Sequence, residues 1–265
     1  MKTGFIGCGN MGGALVKAAA KSIDAKNIYI YDRDEEKVGA LKAALGVVPC
    51  EEEKIIAEAN YIFLGVKPQA LKAAIDEIKD ALKARKTRAV IVSMAAGVKI
   101  SAITDFFGFE LPVIRIMPNT PVSVGEGMIL YDTNELVSDE EAGAFLKIME
   151  KAGRLDRLPE KLIDAGCALS GCGPAFVDLF IEALSDAGVK CGLQRDKALL
   201  YAAQTLLGAS KLMIETGAHP AVLKDAVCSP GGSTIAGVHS LEENGFRGAV
   251  MDAVCAAFEK TKELG

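Results

Sequence analysis

Over the first 158 residues, apolar positions follow two alternating rhythms. Short, nearly unbroken runs at Thr3–Ile6, Asn27–Tyr31, Val47-Val48, Tyr61–Val66, Ala89–Ser93 and Val113–Ile116 have the length of strands. Strands apolar on both sides belong in a parallel sheet covered by helices on both faces. Between the runs the apolar residues recur every three or four positions. Val38, Leu41 and Leu45 do so within Glu35–Leu45, which stops at Gly46, a glycine suited to capping a helix C-terminus. Glu51–Glu58, Gln69–Ala84, Ile100–Phe106 and Ser138–Lys151 also read as helices. This alternation predicts an α/β domain with a doubly wound parallel sheet, whose ligands bind outside the carboxyl ends of the strands.

From Pro159 onward almost every segment reads helical. Leu162–Ala187 is long and apolar but interrupted at Gly171-Cys172-Gly173-Pro174, Asp196–Thr216 is a second helix, and Phe246–Leu264 is the last. The change of pattern places a boundary near residue 158, giving an α/β domain over 1–158 and an all-α domain over 159–265. Small residues such as Ala183, Ala187, Ala202, Ala203 and Gly208 let these helices approach closely. The helices are too apolar to cover one another, so a homo-oligomer is expected.

Composition narrows the partners. The net charge of −5 provides no broad basic face for nucleic acid or an anionic membrane, which leaves a small molecule as the expected partner. No unbroken apolar run reaches the ~18 residues of a membrane span, and the first strand starts too early to leave room for a leader. The seven cysteines are odd in number, scattered and without a Cys-x-x-Cys pair, as expected of reduced residues in a cytoplasmic protein. His219 and His239 are the only histidines and lack the spacing of metal ligands, so no metal is expected.

The candidate chemistry begins where the first strand ends. Gly7-Cys8-Gly9-Asn10-Met11-Gly12 is a Gly-x-Gly-x-x-Gly turn between a strand and a helix, the entry to a dinucleotide-binding βαβ unit of the Rossmann type. Gly7 allows the tight turn, Gly9 lets a pyrophosphate approach the backbone, and Gly12 lets the helix pack on the strand. The anion would rest on the free amides at the helix start, around Asn10 and Met11. Asp32 ends the second strand twenty residues beyond Gly12, where ribose hydroxyls are met, and Arg33 beside it is suited to a 2′-phosphate. These two signals conflict, so both NAD and NADP in reduced form are expected, with some preference for NADH. Val66-Lys67-Pro68, Ala95-Ala96-Gly97 and Met117–Pro121 follow other strands and are expected at the same crevice.

A second constellation lies in the helical half. A Gly-x-Gly-Pro within an apolar helix is costly and requires compensation. Further on, Ser229-Pro230-Gly231-Gly232 leads into a helix beginning near Ser233 and Thr234, whose first amides suit a small carboxylate. An ordinary N-cap by Ser233 or Thr234 is the plainer reading.

Taken with Gly4–Met11, Val66–Pro68, Arg115–Pro121, Leu169–Ala175, Asp186–Val189 and His219-Pro220, this turn makes the chain resemble the pyrroline-5-carboxylate reductases over nearly its whole length. The resemblance implies a Rossmann domain, a helical dimerisation domain, a homodimer and often a ring of dimers. It further implies hydride transfer from NAD(P)H to the imine carbon of 1-pyrroline-5-carboxylate, giving L-proline. On that pattern Thr234 bonds near the imine nitrogen, and the amides around Gly231, Gly232, Ser233 and Thr234 hold the carboxylate. Glu160 matches a position near the substrate in some members. Cys172 stands where the family more often has serine, and Ala226 where many members have asparagine. A 3-hydroxyacid dehydrogenase would carry a catalytic lysine after Gly171-Cys172-Gly173, where this chain has Pro174-Ala175-Phe176-Val177. A non-catalytic nucleotide-binding protein would have no use for the Gly231–Thr234 turn.

Overall fold

The computed structural model describes residues 1–263. The chain divides into two compact units, Met1–Cys172 with the end of the last helix from Ala257, and Gly173–Ala256.

In the first unit β1 (Thr3–Ile6), β2 (Ile28–Tyr31), β3 (Val48–Pro49), β4 (Tyr61–Leu64), β5 (Val90–Ser93), β6 (Val113–Met117), β7 (Gly127–Thr133) and β8 (Gly153–Arg157) form one sheet in the order β3-β2-β1-β4-β5-β6-β7-β8. The first six follow the parallel Rossmann order, with the direction of winding reversing between β1 and β4. Beyond them, β7 runs antiparallel to β6 and β8 runs parallel to β7, so the sheet is mostly rather than wholly parallel. Helices α1 (Asn10–Ser22), α2 (Glu35–Leu45), α3 (Glu52–Glu58), α4 (Pro68–Ala84), α5 (Ile100–Phe107), α6 (Asp139–Met149) and α7 (Glu160–Gly166) complete the unit.

Period-two alternation divides each strand between two cores. Phe5, Phe63 and Ile114 join Leu15 and Phe145 on one face, while Ile6, Ile62, Leu64 and Ile91 join Ile55, Ile75 and Ile103 on the other. Each such side chain, once fully buried, stabilises the fold by about 1.5–3 kcal/mol. The helix ends follow local chemistry. Gly46 caps α2 in the left-handed region, and Ser138 and Glu141 form a capping box at the start of α6.

The second unit contains α8 (Gly173–Lys190), α9 (Arg195–Thr216), α10 (Pro220–Ala226), α11 (Ser233–Glu243) and most of α12 (Phe246–Lys262). Leu264, expected to end the last helix, lies outside the described residues. Small residues let α8 and α9 pack closely: a Cβ on Gly188 would stand 3.0 Å from that of Ala198. The Gly-x-Gly-Pro segment does not break an established helix. The path from α7 widens into a π turn over Cys167–Gly171, closed by the Cys172 amide on the Cys167 carbonyl at 3.0 Å, and α8 starts afresh at Gly173. Pro174 therefore sits in a first turn, where a missing N–H costs little.

This path also corrects one expectation. Glu160–Lys190 is long and apolar enough, by length and composition, to cross a membrane. A search for an unbroken apolar run passes over it because glycines and acidic residues punctuate it.

Candidate functional site

The reversal of winding opens a crevice at the carboxyl ends of β1 and β4, and glycines determine how closely its walls approach. Gly7 has φ +95°, and a Cβ there would fall 2.7 Å from the Gly65 carbonyl oxygen. A Cβ on Gly65 would fall 2.3 Å, and one on Gly12 2.1 Å, from the Gly7 carbonyl oxygen. Gly9, by contrast, faces open space. Its missing side chain leaves the mouth of a cavity of about 300 Å³ clear, lined in part by Gly7, Gly9, Asp32, Val66, Lys67 and Glu77. Gly9 is also the N-cap of α1 and brings no side-chain bond, so the first amides of that helix, at Asn10 and Met11, stay available to an anion. These features fit a dinucleotide: a clear approach to free amides, with a carboxylate at the far end.

That carboxylate is Asp32. Its Oδ2 accepts the Cys8 amide at 2.6 Å and its Oδ1 the Asp34 amide at 2.9 Å, so it ties the glycine turn to the end of β2. Burial, and then the charge of Asp32, push the neighbouring Cys8 thiol up to about 12. Arg33 lines the same cavity but is engaged: its Nη2 donates to both oxygens of Glu77, at 2.7 and 3.0 Å. Glu52 also lines the cavity, and burial, reinforced by the charge of Glu77, raises its carboxyl above the usual range. Neither Glu52 nor Glu77 was marked by a motif. Only their helical positions, at the start of α3 and on α4, point toward the strand ends.

Pro68 is the first residue of α4, with Lys67 as its N-cap. Ala96, half-buried, packs beside Met117, Leu130, Ile163 and Cys167. The stretch after β6 acts as a strut. Asn119 is buried, donating from Nδ2 to the Ser170 carbonyl in the π turn at 2.9 Å and accepting the Met128 amide at 2.9 Å. Arg115, only 1% exposed, reaches Asp164 Oδ1 at 2.6 Å and Glu160 Oε1 at 3.4 Å. Glu160 Oε1 also accepts the Ile100 amide at 2.6 Å, and the Glu160 amide donates to Asp132 at 2.7 Å. The carboxylate of Glu160 thus joins α7 to the start of α5 and to β6.

In the second unit the Ser229–Gly232 turn is closed by the Gly232 amide on the Ser229 carbonyl at 3.0 Å. Gly231 has φ +67°, a conformation that L side chains rarely adopt, and a Cβ on Gly232 would fall 2.4 Å from Ser229 Oγ. The N-cap of α11 is Gly232, and no side chain caps the helix. Ser233 and Thr234 are instead its first two residues, which removes the ordinary-cap reading. Both side chains are exposed, and a helix start left uncapped is suited to an anion. His219 caps α10, its Nδ1 accepting the Ala221 amide at 3.2 Å.

Comparison with known proteins identifies the family. The family model for pyrroline-5-carboxylate reductase dimerisation matches residues 160–264. A pyrroline-5-carboxylate reductase of Escherichia coli is 40% identical over 99% of this chain and 98% of its own. The chain belongs to the pyrroline-5-carboxylate reductase family. A reductase of Methanosarcina acetivorans is 41% identical, covering 100% of this chain and 98% of its own. The crystal structure of a Plasmodium falciparum pyrroline carboxylate reductase with NADP bound is 34% identical, with a TM-score of 0.88, over 100% of this chain and 98% of that one. Residues 2–97 match the model described as NADP oxidoreductase, coenzyme F420-dependent. The helical half thus carries the family's dimerisation domain, which supports homo-oligomerisation.

Proposed function

We propose an assignment of residues to the family's reaction: the chain reduces 1-pyrroline-5-carboxylate to L-proline with NADH or NADPH. When bound, the cofactor supplies the hydride received by the imine carbon. Gly7, Gly9 and the amides of Asn10, Met11 and Gly12 hold its pyrophosphate, Asp32 and Arg33 face its adenosine ribose, and Val66, Lys67, Pro68 and Ala96 flank it. The amides around Gly231, Gly232, Ser233 and Thr234 hold the substrate carboxylate, and Thr234 Oγ1 hydrogen-bonds near the imine nitrogen. Most of the rate comes from positioning. Glu160 belongs to this assignment by position, since its carboxylate is engaged by the Ile100 amide and Arg115.

The observation that carries the assignment is the uncapped start of α11 behind a Ser-Pro-Gly-Gly turn. A helix that leaves its first amides bare, with two glycines clearing the approach, favours an anion. Steady-state assays of the Thr234→Ala variant test it. Turnover falls by roughly ten- to a thousandfold, the effect of losing one positioned donor. Unchanged turnover removes Thr234 from the mechanism.

The functional boundary falls between residues 158 and 159, supported by a dimerisation match that starts at 160. The assembly is a homodimer that extends to a ring of dimers, supported by the apolar outward faces of the helical unit. A cytoplasmic location is supported by seven unpaired cysteines.

A further inference from the structure

The cavity beside β2 gathers three carboxylates where the far ribose of a cofactor would lie. Asp32, Glu52 and Glu77 all line it, and its guanidinium, Arg33, is held in a two-point bond by Glu77. Asp32 is fixed by two backbone amides and remains an acceptor suited to a ribose hydroxyl. Arg33 is the residue suited to a 2′-phosphate, since its planar fork matches phosphate oxygens. Nη2, which donates to both oxygens of Glu77, must release them before the fork can face a phosphate with both of its terminal nitrogens. Glu77 stands on α4, forty-four residues from Arg33 in sequence, so the competition is set by the fold and not by the dinucleotide motif.

We infer that Glu77 is a specificity-determining residue: by competing for Arg33 it sets the discrimination between a ribose 2′-hydroxyl and a 2′-phosphate, and so the balance of NADH over NADPH. This inference rests on the assignment of the crevice to the cofactor. Glu77 touches neither reacting atom. It acts on the far end of the cofactor by deciding whether Arg33 is free, and by adding its own charge beside Glu52. The pair is half exposed or more, with Arg33 at 77% and Glu77 at 50%, so Arg33 has room to swing toward a phosphate once Glu77 is gone.

Two ligands that differ only in the 2′-phosphate isolate the effect: adenosine 5′-monophosphate and adenosine 2′,5′-bisphosphate. Both are titrated calorimetrically into the full chain at constant ionic strength, since exposed charges are screened by salt. In the unaltered protein the two dissociation constants lie within about threefold, as expected when exposed charges nearly cancel. In Glu77→Ala and Glu77→Gln the bisphosphate gains about tenfold over the monophosphate, the worth of one charge-assisted hydrogen bond. Arg33→Ala changes the ratio by less than about threefold in the unaltered background but abolishes the gain in the Glu77→Ala background, a coupling that a merely structural Glu77 would not produce.

A ratio unmoved by both Glu77 variants overturns the inference, as does a tenfold loss of bisphosphate affinity on Arg33→Ala alone. If neither nucleotide binds the unaltered chain or competes with NADH, the cofactor assignment of the crevice fails, and the inference with it. Binding of both nucleotides with an unmoved ratio sinks the inference alone.

Discussion

The two units use the same kinds of side chain to opposite ends. In the first, Leu15, Phe63, Ile75, Ile91 and Phe145 are sealed between helices and sheet, and the unit builds its own core. In the second, Leu179, Leu199, Leu200, Tyr201, Leu207, Ile214 and Met251 face outward, and the buried residues among the described ones are small: Ser185, Ala198 and Ala202. A sheet gives an apolar helix something to lie on. Helices packed on one another through alanine and glycine leave their large residues for another surface, as a dimerisation domain requires. An apolar groove between α8 and α12, lined by Phe176, Phe180, Phe246 and Val250, is the clearest such surface.

If the first unit is held from within, its largest single weakness is its buried charge. Asp164→Ala leaves the Arg115 guanidinium, already without a partner at Nε, dependent on the longer contact with Glu160. Urea unfolding is expected to show a loss of about 3–5 kcal/mol, the usual cost of orphaning a buried ion. A loss under about 1 kcal/mol would mean that Arg115 finds water there.

The second unit should be sensitive instead to its outward face. Val250→Glu puts a charge into the groove, and sedimentation equilibrium is expected to show self-association weakened by about a hundredfold. Unweakened association would place the interface elsewhere. A smaller and opposite effect belongs to the first unit, where the hydroxyl of fully buried Thr3 has no partner. Thr3→Val keeps the shape and is expected to stabilise by about 1 kcal/mol in the same urea experiment. No gain would show that the hydroxyl is satisfied.

The least effect near neutral pH, and a marked one at high pH, concerns Cys8. Burial holds this thiol at about 12 in the folded chain, against an ordinary 9.0. An acid whose folded value is raised keeps its proton while the unfolded chain releases it. Its contribution is therefore fully present below pH 9 and is lost as pH climbs toward 12. Cys8→Ala should flatten the fall in stability over that window, and in the unaltered chain Cys8 should resist alkylation at pH 8 until the protein unfolds.

Most of the first unit was legible because a parallel strand buried on both faces declares itself as an unbroken apolar run, as Tyr61–Leu64 does. The strand β8 was passed over for the complementary reason. Arg154, Asp156 and Arg157 leave β8 little apolar signal, and a strand at the edge of a sheet needs little. Gly7, Gly12, Gly231 and Gly232 were legible because close contacts or a positive φ leave little room for a side chain. The clasp of Glu77 on Arg33 was not, since nothing local marks a contact made across two elements of a sheet domain. Arg115 and Asn119 stood in a recognisable motif, yet their work is to brace α7 and the π turn.

The account stands on hydride passing from the cofactor to the imine carbon. Supplying the chain with 1-pyrroline-5-carboxylate and NADH deuterated at the transferring position of the nicotinamide, then weighing the product, tests this directly. The expected result is L-proline carrying one deuterium on the ring carbon that adjoins nitrogen and bears no carboxylate, formed one for one with oxidised cofactor. Cofactor bound but not oxidised, or proline formed without the label, would contradict it.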